Sequence, residues 1–218
     1  MSNISTDQTI EQLQQMTSQN KITYKQMFNM HNTIDSMKAA ELIRKALNTA
    51  NKDAQEIGSD MENVVHYFLE NTGIIQNVSA NHKNKLHEID HYGEISPHLV
   101  EYFKGKRIDQ INFIGESKNY SSSLNVDKVY KLEGIKLLTK SKLGAFFTRF
   151  GLKGEVESSA KGVLAEFYHQ FGHISLVFTK DDWEFLEKNP NKFAVLFYDK
   201  FSNFHPLYDS ESSDHAKL

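Results

Sequence analysis

The segment INFIGESKNY, residues 111–120, decides how this chain is read. Ile111, Phe113 and Ile114 give it the apolar weight of a strand, and that strand runs into Gly115-Glu116-Ser117-Lys118. Residues two apart in a strand share a side, so Glu116 and Lys118 face one way and Ser117 the other. A carboxylate beside an ammonium at a strand end has two physical readings. One is a surface ion pair, which contributes little. The other is a cation site with a lysine next to it.

The second half of the pattern lies upstream in HEID, residues 87–90. Residues 86–92 alternate as a strand does, and Glu88 and Asp90 share a side. Antiparallel pairing of the two strands brings Asp90 beside Glu116. Two converging carboxylates repel each other unless a cation neutralises them. Mg²⁺ suits such a place, with Mn²⁺ as a substitute: a hard ion with oxygen ligands, some retained waters and a substrate phosphate. An ion of that kind activates a bound water and offsets the charge growing on a scissile phosphate. Lys118 then orients the water or stabilises that charge. On Asp90, Glu116 and Lys118 alone, the structural and the catalytic readings stand level.

Working outward, residues 126–139 read as a helix with Val126, Val129, Tyr130, Leu137 and Leu138 facing inward. Residues 145–149 form a short strand bounded by Gly144 and Gly151. Residues 155–170 form a helix with Ala160, Val163, Leu164, Phe167 and Tyr168 on one stripe, closed by Gly172. Residues 173–178 read as a buried strand, and 181–188 as a helix with an acidic start that suits its dipole. The stretch 193–204 is apolar and left open. Toward the N-terminus, 53–71 reads as a helix with Val64, Val65, Phe68 and Leu69 inward and Gly73 just past its end. Residues 74–78 give a first strand, while Pro97 and the 103–109 stretch read as an interruption.

Strand and helix alternating from 111 to 178 imply an α/β fold, a sheet with helices on its faces. Residues 1–52 are expected to form an N-terminal helical extension, with Ile10, Leu13 and Met16 and then Met37, Ala40, Leu42 and Ile43 at helical spacing. Such a segment is a clamp, a dimer surface or an arm for a partner protein. Residues 53–205 form the main domain, and 206–218 a flexible tail.

Composition bounds the possibilities. The 218 residues are 39% hydrophobic and 24% charged, enough for one core plus an extension. No apolar run reaches about 18 residues, so no membrane span is expected. The first 20 residues are polar and lack the pattern of a signal peptide. The absence of cysteine excludes disulfides and thiolate metal sites, and a cytoplasmic location is expected. The net charge of −3 is unevenly spread, with 12 Lys and Arg against 6 Asp and Glu from Lys104 to Lys161. That stretch attracts a polyanion or is a solvated face with its own counter-charges.

HEID followed by INFIGESKNY resembles the D…(D/E)-x-K core of the PD-(D/E)XK, restriction-endonuclease-like nuclease superfamily. NVDKVYKLEGIKLL, LGAFFTRFGLKGEVESSA and FGHISLVFTKDDWEFL extend the resemblance to Mrr-like restriction endonucleases in order and spacing, over residues 56 to 188. The resemblance implies a mixed central sheet flanked by helices, in which Asp90 and Glu116 bind the metal. The backbone carbonyl of Ser117 completes the inner set of ligands, and Lys118 is the catalytic lysine. Gly58 and Glu62 in IGSDMENVVHYFL match a further G-x-x-x-E-like pattern. Glu62 is then a carboxylate supporting the first metal or holding a second one; the alternative is a solvent-facing helix residue. The span 95–109 is longer than in compact members, and Ser117 stands where Cys or Val is frequent.

Other residues carry weaker expectations. His82, His87, His91 and His98 gather around the first of the two strands, but 87–91 reads as strand, with both histidines facing away from Asp90. A surface or core role is favoured over zinc binding, while His91 remains a candidate for proton transfer. Asn119 and Tyr120 are candidates for a phosphate or sugar contact, or part of a polar turn. Lys128 and Lys131, three apart on a helix, have the spacing to follow a nucleic-acid backbone or to sit on a solvated face. Arg149 reaches the mouth of the site or forms a simple ion pair. Trp183, Phe185 and the 193–204 aromatics are core, a dimer surface or, least favoured, a stacking platform. No separate DNA-reading motif is evident.

The resulting expectation is a Mg²⁺-dependent DNA endonuclease acting as a homodimer, in restriction or anti-phage defence by analogy. The alternative is a nuclease-fold module without hydrolysis that binds nucleic acid or assembles with a partner protein.

Overall fold

The computed structural model describes residues 12, 15–16, 23–83, 88–119, 122–154 and 159–204. Five strands form one open sheet in sequence order: β1 (Ile75–Lys83), β2 (Glu88–Ile95), β3 (Asn112–Lys118), β4 (Leu143–Thr148) and β5 (Ile174–Phe178). β1, β2 and β3 pair antiparallel, whereas β3, β4 and β5 pair parallel. A parallel step needs a crossover. These are supplied by α5 (Val126–Thr139) and α6 (Ala160–Phe171). The remaining helices are α1 (Tyr24–Phe28), α2 (Ser36–Leu47), α3 (Ala54–Asn71), α4 (Pro97–Gly105), α7 (Lys180–Lys188) and α8 (Phe193–Ser202).

Alternation along the strands feeds two cores. Phe113 of β3 and Phe147 of β4 point into the larger one, with α2, α3, α4, α7 and α8. Ile114 and Phe146, each one residue earlier or later, point into the smaller one, beneath α5 and α6. All six residues of β4 are buried, as expected of a parallel strand covered on both faces.

Local chemistry explains the helix boundaries. Asp53 caps α3 in a reciprocal box with Glu56, and Gly73 follows the helix at φ +68°, in the left-handed region. Pro97 does not interrupt the chain. It stands in the first turn of α4, where its missing N–H costs nothing, so the break read from the sequence is a helix start. The first strand runs on to Lys83, past a register shift between Gln76 and Ser79 where Asn77 takes φ +51°. The 193–204 stretch resolves into α8. The expected tail at 206–218, the positions Ile10 and Leu13, and the expected helical start at 155–158 lie outside the described residues.

The described part of the 1–52 segment packs onto the main domain. Met27, Phe28, Ala39, Ile43 and Ala46 belong to the same core as the sheet, and packing continues across residue 52. The orientation of α5 differs from the one expected. Its buried side carries Val129, Leu132, Glu133, Ile135 and Lys136, while Tyr130, Leu137 and Leu138 are 48%, 44% and 59% exposed.

The cause of that rotation is a buried polar network. The Lys136 ammonium donates to Ser175 Oγ at 2.7 Å, to the Ile174 carbonyl at 3.2 Å and to Glu133. Glu133 also holds His173 Nδ1 at 2.7 Å and accepts from Ser175 Oγ. Burial alone would push the Glu133 carboxyl upward, but Lys136, His173 and Ser175 together hold it below the usual range. Gly144 lets the lysine pass, because a Cβ there would lie 3.2 Å from Lys136 Cδ and 2.9 Å from the Ile114 carbonyl oxygen.

Among the described residues no helix is long and apolar enough to cross a membrane.

Candidate active site

β2 and β3 pair in register from Glu94↔Asn112 to His91↔Gly115, and the ladder ends there. One residue further, the Asp90 side chain takes the place of a backbone acceptor: its Oδ2 accepts the Ser117 N–H at 2.9 Å. This seats the carboxylate at the end of the β2–β3 ladder. Glu116 and Lys118, on alternate positions of β3, project to the side of Ile114, toward α5.

The Lys118 ammonium is the meeting point. It lies 2.8 Å from Asp90 Oδ2, 2.8 Å from Glu116 Oε1 and 3.0 Å from the Ser117 carbonyl oxygen. These are the three groups expected to hold a metal, collected around one positive charge. Burial works to lower the Lys118 pKa, but the two carboxylates outweigh it and push the group above its ordinary value. Glu116 is only 1% exposed, and its Oε1 also takes Lys131 Nζ at 3.0 Å. Its Oε2 is buried without a hydrogen-bond partner, an expensive state for a carboxylate oxygen.

Glu62, on α3, is half-buried near this cluster. Burial and the neighbouring Asp90 charge raise its pKa, offset in part by Lys118 and by a hydrogen bond from Asn81. It stands beside the carboxylate pair without joining the ammonium. Among the described residues, no group of three or more His, Asp or Glu side chains could by itself hold a metal ion.

The donor set nevertheless fits a hard divalent cation. Two carboxylates and a carbonyl converge, one carboxylate oxygen has no partner, and an ammonium already occupies the point of convergence. Asp90, Glu116 and the Ser117 carbonyl would hold the ion, with water completing its shell.

The other candidates separate clearly. Ser117 Oγ faces the opposite side, 2.7 Å from His91 Nε2. His91 is fully buried against Phe147 and His66, and burial lowers its pKa to about 3, so it is a neutral core residue rather than a proton-transfer group in the site. His82 stacks on Tyr92, and His98 packs edge-on against His31. His87 and Tyr120 lie outside the described residues.

Asn119 turns inward instead of toward a substrate. Its amide donates to the Ala46 carbonyl at 2.9 Å and the Ile57 carbonyl at 3.0 Å, tying α2 and α3 to the end of the site strand. Arg149 leans over Phe150 and reaches Thr49 Oγ1 at 3.4 Å. No contact from it to Asp90, Glu116 or Lys118 occurs among the described residues. Lys128 lines a polar pocket of about 380 Å³ with Ser122, Ser123, Asn125 and Lys153. Trp183 is core, and Phe185 is 45% exposed.

Sequence reasoning missed the direct bond from Lys131 to Glu116. No local signal carries it, because it depends on which side of α5 faces the sheet. The anchoring of Asn119 was equally hidden.

Compared with protein-family models, curated proteins and solved structures, the chain finds no significant match.

Proposed function

We propose that the chain is a divalent-metal-dependent phosphodiester hydrolase, a nuclease acting on DNA. The observation that carries this reading is the convergence of Asp90, Glu116 and the Ser117 carbonyl on the Lys118 ammonium, beside an unpartnered Glu116 oxygen. The lone acceptor is what sets this cluster apart, since in the buried network of Glu133 and Lys136 both carboxylate oxygens have partners. A bound Mg²⁺ or Mn²⁺ would supply an activated water and offset charge on the scissile phosphate.

The protein's own groups divide the remaining work. Asp90 is fixed by the Ser117 N–H, and Glu116 by Lys131, so both carboxylates are oriented before any ligand arrives. Lys118, whose donors are engaged by Asp90, Glu116 and the Ser117 carbonyl, would turn one of them to the growing charge once a cation takes over those oxygens. Glu62 adds a third negative group behind Asp90. Lys128 and the Lys153 pocket lie at the N-terminal end of the helix that carries Lys131 and attract a polyanion. A cytoplasmic setting and a role in restriction or anti-phage defence belong to the same proposal, by analogy.

The test is cleavage of supercoiled plasmid, linear duplex and single strands in Mg²⁺, Mn²⁺ or EDTA. Wild type cuts only with the metal. Lys118→Ala loses at least about a hundredfold in rate, the loss associated with removing one such donor. Failure of the wild type to cut any substrate would leave the non-hydrolytic binding module as the better reading.

A further inference from the structure

Lys118 and Thr148 are the last paired residues of β3 and β4, and beyond them the chain leaves the sheet through Asn119 and Arg149. Both lean on the junction of α2 and α3. Asn119 donates to the Ala46 and Ile57 carbonyls, and Arg149 reaches Thr49 between them in sequence. Arg149 therefore stands one strand over from Lys118 and one residue further on, and neighbouring strands lie only about 5 Å apart. This is the carboxyl end of the parallel half of the sheet. Open α/β sheets take their ligands in crevices outside such ends.

What Arg149 lacks is a counter-charge. Its bond from Nη1 to Thr49 Oγ1 is long at 3.4 Å, and its Nε is buried with no partner. No carboxylate pairs with it among the described residues, so the simple ion pair that the sequence allowed does not form there. A half-buried guanidinium in this state is costly, because its donors have left water without gaining a matching acceptor. An arriving anion offsets that cost. The Phe150 ring, 5.2 Å from the guanidinium carbon, steadies the group beforehand, so little freedom is lost on binding. The planar fork of a guanidinium matches the paired oxygens of a phosphate.

We propose that Arg149 anchors a backbone phosphate of the bound nucleic-acid strand, flanking the phosphate at Lys118. It is a positioning residue, which fixes the register of the strand and touches no reacting atom. The inference deepens the proposed function and rests on its nucleic-acid part.

Fluorescence anisotropy of a labelled DNA duplex in EDTA, over about 50 to 200 mM salt, tests it. Arg149→Gln is expected to weaken binding roughly tenfold. It is also expected to lower the slope of log affinity against log salt by about 0.9, the share of one phosphate contact. Arg149→Lys keeps the charge and should keep the wild-type slope. Thr49→Val removes only the hydroxyl contact and should leave the slope unchanged. In Mg²⁺, Arg149→Gln should raise KM at constant kcat, as a loss of uniform binding does. Binding that needs Arg149 in this way, with no cleavage in Mg²⁺, would remove hydrolysis and leave the anchor standing. Cleavage by the wild type, with a salt slope that Arg149→Gln does not change, would overturn the anchor alone. A Thr49→Val variant that loses the same slope would mark the arginine as purely structural and overturn it too, as would a wild type that binds no DNA.

Discussion

Two clusters of Lys and Glu lie toward the α5 side of the sheet, and they differ in how completely they are closed. In the inner cluster both Glu133 oxygens have partners, and Lys136 reaches a hydroxyl, a carbonyl and a carboxylate. Nothing there is exposed enough to meet a ligand. In the outer cluster, at the end of β3, one Glu116 oxygen has no partner, and the Lys118 and Lys131 side chains are 16% and 39% exposed. The residue types are the same. A satisfied network fixes one packing arrangement, here α5 against β5, whereas one with an unpartnered oxygen beside partly exposed lysines has room for a further ligand.

The contrast can be broken most forcefully at Lys136. Lys136→Met leaves Glu133 buried with its cation gone and should cost about 3–5 kcal/mol in urea unfolding. A loss well under 1 kcal/mol would mean that the inner cluster does not hold the fold. A smaller effect is expected at the outer cluster on adding metal. Magnesium at a hundredfold above its dissociation constant should stabilise the wild type by about 2.7 kcal/mol against EDTA, seen as a higher melting temperature. Glu116→Gln should gain less. Superimposable melting curves with and without the ion would remove the metal from the account.

The subtlest reading is a change of slope with pH. The Glu133 carboxyl is held below its ordinary value, so its stabilisation is present above the unfolded pKa, about 4.3, and fades as pH falls through the folded one. The gap in melting temperature between wild type and Glu133→Gln should hold steady near neutrality and narrow in acid. A gap that widens in acid would reverse the sign of the assignment.

Much of this organisation was legible in the chain. The 53–71 helix could be read because Asp53 and Gly73 mark its ends and its apolar stripe is clean. The pairing of Asp90 with Glu116 and Lys118 followed from alternation on two strands. The errors at α5 and Asn119 share an origin, since both occur where polar residues went inside. Glu133 and Lys136 took buried positions on α5, so a reading that sends apolar residues inward rotated the helix the wrong way. Asn119 looked like a polar loop residue, yet its amide is used on backbone carbonyls 73 and 62 residues earlier in the chain. Periodicity carries no information about such distant acceptors, nor about Lys131 finding Glu116. Pro97 was misjudged differently: proline both ends and begins helices, and only the neighbouring Ser96 favoured the second.

The position of Asn119, directly after Lys118, makes the leading helices a foundation rather than an accessory. A shortened protein starting at residue 53 would lose one of the two carbonyl anchors that steady the lysine-bearing strand end. It would also uncover the part of the hydrophobic interior that Phe28 and Ile43 now seal. Trimming this protein to its apparent catalytic minimum would therefore loosen the very strand that the trimming was meant to isolate.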